Sequence, residues 1–343
     1  MGGHKRMLVT HPRPSACASI LKPANKMKAA VRSKYGLPAD LGVKEIAIPI
    51  PKDDEVLIRV YAASVNRSDN HVLTGRPFIM RLFTGLFKPR RAVTGSDFAG
   101  QVEATGPTVK LFKAGDKVMG FGGGFGIGSH AQYITFPENK RIVLMPGNLT
   151  YEQAAACLEG TYYAAIGIAQ LQPAAGQKAL VYGATGAIGS AYVQLLKYYG
   201  VYVTAVCASD NSELVRLWGA DKIIDYKTED FTKDKEQYDF VIDAVGKSSF
   251  VKCKPLLKKN GIYAPSGGFE NLFLVLMTPL LGGKKVLFPK DSKHTLGFIK
   301  EVIENGSFKP VIDRIYPLEK IAEAFVYVAT GQKLGNVIVT MDA

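Results

Sequence analysis

The residues with the clearest chemistry lie in a glycine-rich turn at residues 183–189, whose sequence is Gly-Ala-Thr-Gly-Ala-Ile-Gly. A strand-like run at 179–182 precedes this turn, and an apolar-periodic run that ends at Gly200 follows it. Where a strand passes into a helix through such a turn, backbone N–H groups and the positive end of the helix dipole can hold phosphates. Ala184 occupies the place of the first glycine in a strict GxGxxG motif. The turn therefore predicts a variant site for the pyrophosphate of a dinucleotide.

The elements around the turn follow two different hydrophobic patterns. Residues 28–150 alternate mostly with a period of two and are interrupted by turn residues, which predicts a compact, mainly β domain. From residue 151 strand-like and helix-like runs alternate, which predicts a parallel sheet with helices on both faces. A helix at 295–305 and a strand at 336–340 are expected to return to the first domain. The expected fold class is therefore α/β, with a doubly wound sheet beside a β domain.

The composition is that of a globular protein with reduced cysteines. The chain has 343 residues, of which 47% are hydrophobic and 21% charged, and this length is enough for two domains. Its cysteines, Cys17, Cys157, Cys207 and Cys253, are far apart and form no CxxC pair. This spacing argues against a disulfide framework or a zinc knuckle and favours a reducing compartment, so we expect a cytoplasmic protein.

The net charge of +13 is distributed unevenly along the chain. Residues 1–26 hold five cations and no acid, which we interpret as a flexible N-terminal extension, with organellar import as the alternative. No RNP, zinc-finger or helix-turn-helix pattern accompanies the charge, so no specific nucleic-acid partner is expected. The longest apolar stretch, residues 272–281, is about half as long as a membrane span requires. We therefore expect no membrane-spanning segment.

An ordered set of motifs over residues 27–341 resembles the medium-chain dehydrogenase/reductases. The motifs are Val65 to Asp69, Gly95 to Gly100, Ala114 to Val118, the glycine turn, Gly219 to Asp221 and Gly335 to Ile338. Within that superfamily the chain is most similar to the zinc-free quinone oxidoreductase and enone reductase branch, and it also resembles the mitochondrial reticulon-interacting oxidoreductases. The resemblance implies a Rossmann domain at 151–290 inserted into a GroES-like domain at 27–150 and 291–343, with the active site between them. A homodimer is also expected.

Two of the three zinc ligands of the superfamily's alcohol dehydrogenases are replaced at the matching positions. By motif, two cysteines and a histidine correspond here to Cys157, Asn66 and Ser96. One thiolate with an amide and a hydroxyl is a poor site for zinc. The resemblance therefore implies catalysis without a metal. Alcohol dehydrogenase activity, in which zinc lowers the pKa of the substrate hydroxyl, is the less favoured alternative.

The resemblance also suggests which side chains do the chemistry. Reduction of a quinone, or of a double bond conjugated to a carbonyl, needs hydride from the nicotinamide and donors for the developing oxygen charge. We assign these donors to Asn66 and Ser68, which stand at the positions of zinc and its proton relay. Asp69 is a further catalytic candidate, with the fixing of a turn as the alternative role for Asp69 or Asn66. Tyr162 or Tyr163 is expected to supply a proton or shape the pocket, with core packing as the alternative.

The end of the second Rossmann strand bears on the choice of cofactor. NAD sites place a carboxylate about 19 residues beyond the last turn glycine, where this chain has Ala208. The missing acid leaves room for a 2′-phosphate that Ser209 could bind, whereas Asp210 would repel it. We therefore predict NADPH, with NADH as the alternative. The cofactor-binding candidates are Thr161, Gly183, Thr185, Gly186, Ala187, Ile188, Gly189, Ser209, Tyr226, Val245 and Asn336.

A protein of a different class also fits the excess of lysine, namely a low-turnover NADPH-binding scaffold or sensor. The apolar, lysine-flanked segment Asn271 to Lys285 would then serve as its binding surface. We favour a second interpretation of this segment, as a dimer contact or a substrate lid. Turnover with a small quinone or enone separates the enzyme from the scaffold.

Overall fold

The computed structural model describes residues 26–266, 283–287 and 294–341. These residues form strands that we number in chain order, and the strands assemble into three sheets. The strands are β1 (Lys26–Val31), β2 (Gly42–Ala47), β3 (Glu55–Val65), β4 (Asp97–Thr105), β5 (Lys117–Phe121), β6 (Tyr133–Pro137), β7 (Ile142–Leu144), β8 (Lys178–Tyr182), β9 (Tyr202–Cys207), β10 (Lys222–Asp225), β11 (Tyr238–Asp243), β12 (Leu257–Pro265), β13 (Lys285–Val286), β14 (Ile312–Pro317) and β15 (Asn336–Thr340).

One sheet combines strands from the two ends of the chain. Its strands follow the order β14-β15-β3-β4-β5-β7, and β6 pairs with β3. All of these pairings are antiparallel except that between β14 and β15. Strand β3 is buried along most of its length because its apolar side chains, among them Val56, Ile58 and Val60, fill the core of this part. A two-stranded antiparallel sheet, β1-β2, accompanies it.

The third sheet is entirely parallel and has the order β10-β9-β8-β11-β12-β13. From β8 the chain proceeds outward to β9 and β10, and it then crosses back to β11 on the other side. This reversal makes the carboxyl ends of β8 and β11 a topological switch point, where open α/β sheets bind their ligands. The glycine turn directly follows β8 and therefore lies at this point.

The α-helices are also numbered in chain order. They are α1 (Arg67–Thr74), α2 (Met80–Thr84), α3 (Tyr151–Ala156), α4 (Glu159–Leu171), α5 (Ala187–Tyr198), α6 (Ser212–Leu217), α7 (Phe250–Cys253), α8 (Thr295–Glu304) and α9 (Ile321–Ala329). Helix α4 is buried over ten of its thirteen residues, as expected of a helix that is apolar on most sides. Polar side chains on α4 are therefore placed inside the protein, next to both large sheets.

Two of the sequence predictions fall on residues that the structure does not describe. They are the N-terminal extension, except for Lys26, and most of the segment from Asn271 to Lys285. Among the residues that are described, no helix combines the length and the apolarity that crossing a membrane would need. The proposed domain boundaries, 27–150 and 291–343 around 151–290, remain a prediction.

Candidate active site

The glycine turn joins β8 to α5 through Gly186, which is the N-cap of that helix. Gly183 has a φ of +79°, and a Cβ at this residue would overlap the Cγ2 of Val245. A Cβ at Gly189 would overlap the carbonyl oxygen of Gly183. Around Gly186, by contrast, an added Cβ would meet only the Gly183 carbonyl at 3.7 Å. The turn is therefore closed on its protein side and open where a phosphate would approach the start of α5.

The first side chains of α5 are used for packing. Ala187 is 8% exposed, and Ile188 packs against the core around α4 and α5. Their backbone N–H groups, at the positive end of the helix dipole, are the groups through which a phosphate would contact these two residues.

The last strand of the chain lies against the same turn. Gly335 donates its N–H to the carbonyl oxygen of Thr185 over 2.7 Å, and the two segments form a β-bridge. The next residue, Asn336, is 3% exposed, and its Nδ2 donates to the carbonyl oxygens of Ala156 and Val311 over 3.0 Å each. Asn336 thus lies close to the turn, but its amide holds two backbone segments together.

The surroundings of Ser209 combine charges from the ends of β9 and β10. The side chain of Ser209 donates to Asp225, and this bond, after that from the backbone N–H of Lys227, holds the pKa of Asp225 below its usual value. The Nζ of Lys227 lies 2.9 Å from the Oδ2 of Asp210. The acid that the sequence predicts to repel a phosphate is therefore paired with a cation. Sequence analysis missed Lys227 because this lysine lies just beyond the end of β10 and is far from Ser209 along the chain.

A cavity of about 410 Å³ opens beside Lys227, a size that suits part of a dinucleotide. It is lined by Tyr182, Tyr226, Lys227, Thr228, Glu229, Asp230 and Phe231. The rings of Tyr182 and Phe231 stack with their centroids 4.7 Å apart. Tyr226 itself is 53% exposed, so its ring is accessible to a ligand.

Thr161, another of the cofactor-binding candidates, has an unusual environment. It lies in the first turn of α4 and is 1% exposed. Its Oγ1 is buried and has no hydrogen-bond partner among the described residues. A buried hydroxyl without a partner is costly, and such groups in native proteins commonly serve a ligand. Together with the open side of the glycine turn, this hydroxyl fits the binding of a nicotinamide dinucleotide.

Glu159, a residue that sequence analysis missed, occupies the centre of the polar site. It is 6% exposed, and its carboxylate accepts hydrogen bonds from the Oγ of Ser68, from the Oγ of Ser96 over 2.6 Å and from the Nδ2 of Asn66 over 3.1 Å. One signal was available, because Glu159 is the single charged residue in the run 154–168. The side chains of Asn66 and Ser68 therefore meet, as predicted for a common site, but their donors point to a carboxylate.

Burial shifts the pKa of several groups around Glu159. It raises the pKa of Glu159 itself, while the three hydrogen bonds that this carboxylate accepts oppose the shift. Burial also raises the pKa of Asp97 to about 7, although Asp97 accepts a 2.7 Å hydrogen bond from the backbone N–H of Ser64. Burial lowers the pKa of Lys333 to about 8, and the nearby Glu159 opposes that change. The pKa values of Asp97 and Lys333 are therefore displaced towards neutrality, which is common among groups in active sites.

Asp69 lies in the first turn of α1 and is 1% exposed. Its Oδ2 accepts the backbone N–H of Asn66, the N-cap residue, over 2.8 Å. Burial, and then the charge of Glu159, raises the pKa of Asp69 well above its usual value. The contact is one arm of a capping box, so this geometry favours the turn-fixing alternative for Asp69.

Tyr163 and Ser68 both lie close to Gly124, in the glycine-rich loop between β5 and β6. A Cβ placed on Gly124 would lie 2.9 Å from the Oη of Tyr163 and 3.8 Å from the Cβ of Ser68. Tyr162 is 3% exposed and packs against Phe121, with ring centroids 4.9 Å apart. Of the two tyrosines, Tyr163 therefore directs its hydroxyl towards the polar site, whereas Tyr162 packs in the core.

The remaining zinc-ligand position is held by Cys157. This residue is fully buried, and burial raises the pKa of its thiol, which disfavours the thiolate that binds metals. In the described parts of the chain, no group of three or more His, Cys, Asp or Glu residues is placed to hold a metal ion.

A glycine turn at a topological switch point, beside a polar site shared with a β domain, is the arrangement expected of a dinucleotide-dependent oxidoreductase. The family model for the alcohol dehydrogenase GroES-like domain matches residues 52–147, and that for zinc-binding dehydrogenases matches residues 218–339. The chain belongs to the medium-chain dehydrogenase/reductase superfamily, in its quinone and enone oxidoreductase branch.

Individual relatives agree with this placement. A chloroplastic quinone-oxidoreductase of Triphysaria versicolor is 32% identical over 331 residues, which cover 91% of this chain and 98% of the relative. A chloroplastic NADPH-dependent alkenal/one oxidoreductase of Arabidopsis thaliana is 34% identical over 95% of this chain and 81% of its own length. The structure of the quinone oxidoreductase from Coxiella burnetii superposes with a TM-score of 0.84 at 24% identity, over 93% of this chain and 100% of that chain. This likeness confirms the predicted fold class.

Replacement of Thr161 by valine tests whether its buried hydroxyl serves the cofactor. Thr161→Val keeps the shape and removes the unpartnered Oγ1, so we expect the ligand-free protein to gain roughly 1 kcal/mol in stability. We expect the affinity for NADPH, measured by titration calorimetry, to fall about three- to tenfold.

Thr94→Val is the matched control, because Thr94 is equally buried but its Oγ1 lies 2.9 Å from the Nδ1 of His130. This variant should lose about 1 kcal/mol or more of stability and bind NADPH normally. Unchanged NADPH affinity in Thr161→Val would remove Thr161 from the cofactor site.

Proposed function

We propose that this protein reduces quinones or α,β-unsaturated carbonyls with NADPH and does so without a catalytic metal. The observation that carries the proposal is the orientation of Asn66 and Ser96. Both stand at positions where zinc-dependent relatives hold their metal, yet both direct hydrogens to the carboxylate of Glu159. The relatives named for quinone and for alkenal/one reduction support the same reaction class.

The residues that would hold the cofactor run from the glycine turn to the polar site. The turn and the start of α5 suit the pyrophosphate, and the hydroxyl of Thr161 suits a polar group of the nicotinamide end. Ser209, Tyr226 and Lys227 surround the place expected for a 2′-phosphate. When bound, the cofactor supplies a hydride to the substrate.

Tyr163 is the donor best placed for the oxygen of the substrate. Burial, and then the charge of Glu159, raises the pKa of its phenol, so the hydroxyl stays protonated at neutral pH. A protonated phenol can hydrogen-bond a carbonyl or quinone oxygen as negative charge develops there, and it can then give up its proton.

In this proposal Asn66 and Ser68 act indirectly, through Glu159. Their side chains donate to Glu159, so they position this carboxyl group beside Tyr163 and are not themselves free to bind a substrate oxygen. Burial raises the pKa of Glu159, and its hydrogen bond with the Oγ of Ser68 gives this carboxyl group a route for a proton. The role of Asp69 is to hold the start of α1.

Two further properties are proposed alongside the reaction. The chain is expected to act in the cytoplasm and to form a homodimer. The chloroplastic and mitochondrial relatives are compatible with the alternative, in which residues 1–26 direct the protein to an organelle.

The reaction is tested by following NADPH absorbance with a panel of small quinones and with the enone trans-2-hexenal. We expect oxidation of NADPH with at least one acceptor, at a rate that prior treatment with a metal chelator leaves unchanged. Stoichiometric zinc in the purified protein, or loss of activity on chelation, would favour alcohol dehydrogenase. A flat trace with every acceptor would favour the NADPH-binding scaffold.

Tyr163→Phe tests the proposed donor. Loss of the hydroxyl should lower kcat/KM for the acceptor about a hundredfold, because one positioned donor to a developing oxyanion contributes on this scale. NADPH affinity should not change. Tyr162→Phe is the control on the neighbouring residue and should retain its activity, so an equal loss in both variants would assign the effect to packing of α4.

Lys227→Ala tests the choice between the two cofactors. Removal of this cation should weaken NADPH binding about tenfold and leave NADH binding nearly unchanged, because only NADPH carries the 2′-phosphate. Lys197→Ala is the control, since Lys197 also forms a 2.9 Å ion pair with an aspartate, Asp221, on the same sheet domain. Parallel loss of both cofactors in Lys227→Ala would contradict a contact with the phosphate.

A further inference from the structure

A surface rich in aromatic and basic side chains lies between α1 and β4, outside the site described above. We call residues 76–91 and Phe125 the basic aromatic surface. Within residues 76–91, the exposed apolar side chains are those of Phe78, Ile79, Leu82, Phe83, Leu86 and Phe87. Every phenylalanine among the described residues that is classed as exposed belongs to this surface. Phe87, at 90% exposure, is almost fully in water, so folding of the chain alone does not account for it.

The charge of this surface has one sign. Residues 70–96 include five lysines and arginines and contain no aspartate or glutamate. Arg81 is held over the ring of Tyr35, with 4.7 Å between its Cζ and the ring centroid, whereas Lys88 and Arg90 are exposed. An uninterrupted cationic stretch in contact with exposed phenylalanine and leucine side chains is an unusual combination on a soluble surface.

We propose that the basic aromatic surface docks on an anionic lipid bilayer. Phenylalanine, leucine and isoleucine side chains enter the boundary between headgroups and acyl chains, and flanking lysines and arginines pair with lipid phosphates. A second copy of this chain is a poorer occupant, because a symmetric contact would bring the same cations together. A single-stranded nucleic acid would stack on aromatic rings but would leave Ile79, Leu82 and Leu86 without a matching partner.

The position of the surface gives the docking a consequence that rests on the proposed function. The rings of Phe83 and Phe125 stack with centroids 4.8 Å apart. Phe125 adjoins Gly124, the residue that faces the hydroxyl of Tyr163. Docking through this surface would therefore bring the loop beside Tyr163 to the membrane, where long-chain quinones and lipid-derived enones are dissolved.

Sedimentation of the full chain with vesicles tests the docking without any turnover. We expect binding to vesicles of phosphatidylcholine that contain one third phosphatidylglycerol, little binding to pure phosphatidylcholine, and partial release at high salt. Phe87→Ser/Lys88→Glu should weaken the binding at least about tenfold. Its thermal unfolding midpoint should equal that of the wild type, which shows that the variant is folded.

Leu217→Ser/Arg216→Glu is the matched control, because it makes the same change to an adjacent exposed pair on α6. Equal binding by the wild type and by Phe87→Ser/Lys88→Glu would overturn the proposal and point to another basic segment, such as residues 1–26. Equal binding to neutral and anionic vesicles, or no binding, would also overturn it. So would a change from dimer to monomer in Phe87→Ser/Lys88→Glu with vesicle binding intact. None of these outcomes depends on whether the protein reduces quinones.

Discussion

A buried carboxylate at the start of α4 organises the site of this protein. Glu159 accepts hydrogen bonds from Asn66 and Ser68 at the start of α1 and from Ser96 just before β4. A buried carboxylate is costly unless it is hydrogen-bonded, so the three segments must stay together for the fold to tolerate Glu159. The same contacts hold the start of α1 and the residue before β4 against α4, the helix that also carries Thr161 and Tyr163.

A second constraint connects the glycine turn to the polar site around Glu159. The glycine turn ends at α5, and the chain's last strand reaches it through the hydrogen bond from Gly335 to Thr185. Strand β15 also pairs with β3, so the glycine turn and the start of α1 are connected through one strand. Asn336 reinforces this connection by bonding to Ala156 and Val311. The two halves of the site are thereby fixed relative to each other by backbone contacts.

The sequence predicted the parts of this protein that are encoded locally. The turn at 183–189 could be recognised because two of its positions require glycine. Gly183 has a positive φ, and the backbone approaches Gly189 too closely for a side chain. The alternation of strands and helices after residue 151 likewise fixed the parallel sheet. Family motifs located Asn66, Ser68 and Ser96 as members of one site. The assignment of Asn66 and Ser68 as donors to the substrate did not anticipate that both donate to Glu159.

Only the tertiary structure decided which groups meet in that site. Glu159 is 91 and 93 residues from Ser68 and Asn66, and Lys227 is 17 residues from Asp210, so no spacing rule connects them. Burial then set their chemistry, because desolvation shifts a pKa only where the folded chain excludes water. The orientation of Tyr163 rather than Tyr162 towards the site depends on how α4 is rotated against the β domain. Sequence determines turns and periodicity through local backbone geometry, whereas contacts between distant segments follow from packing of the whole chain.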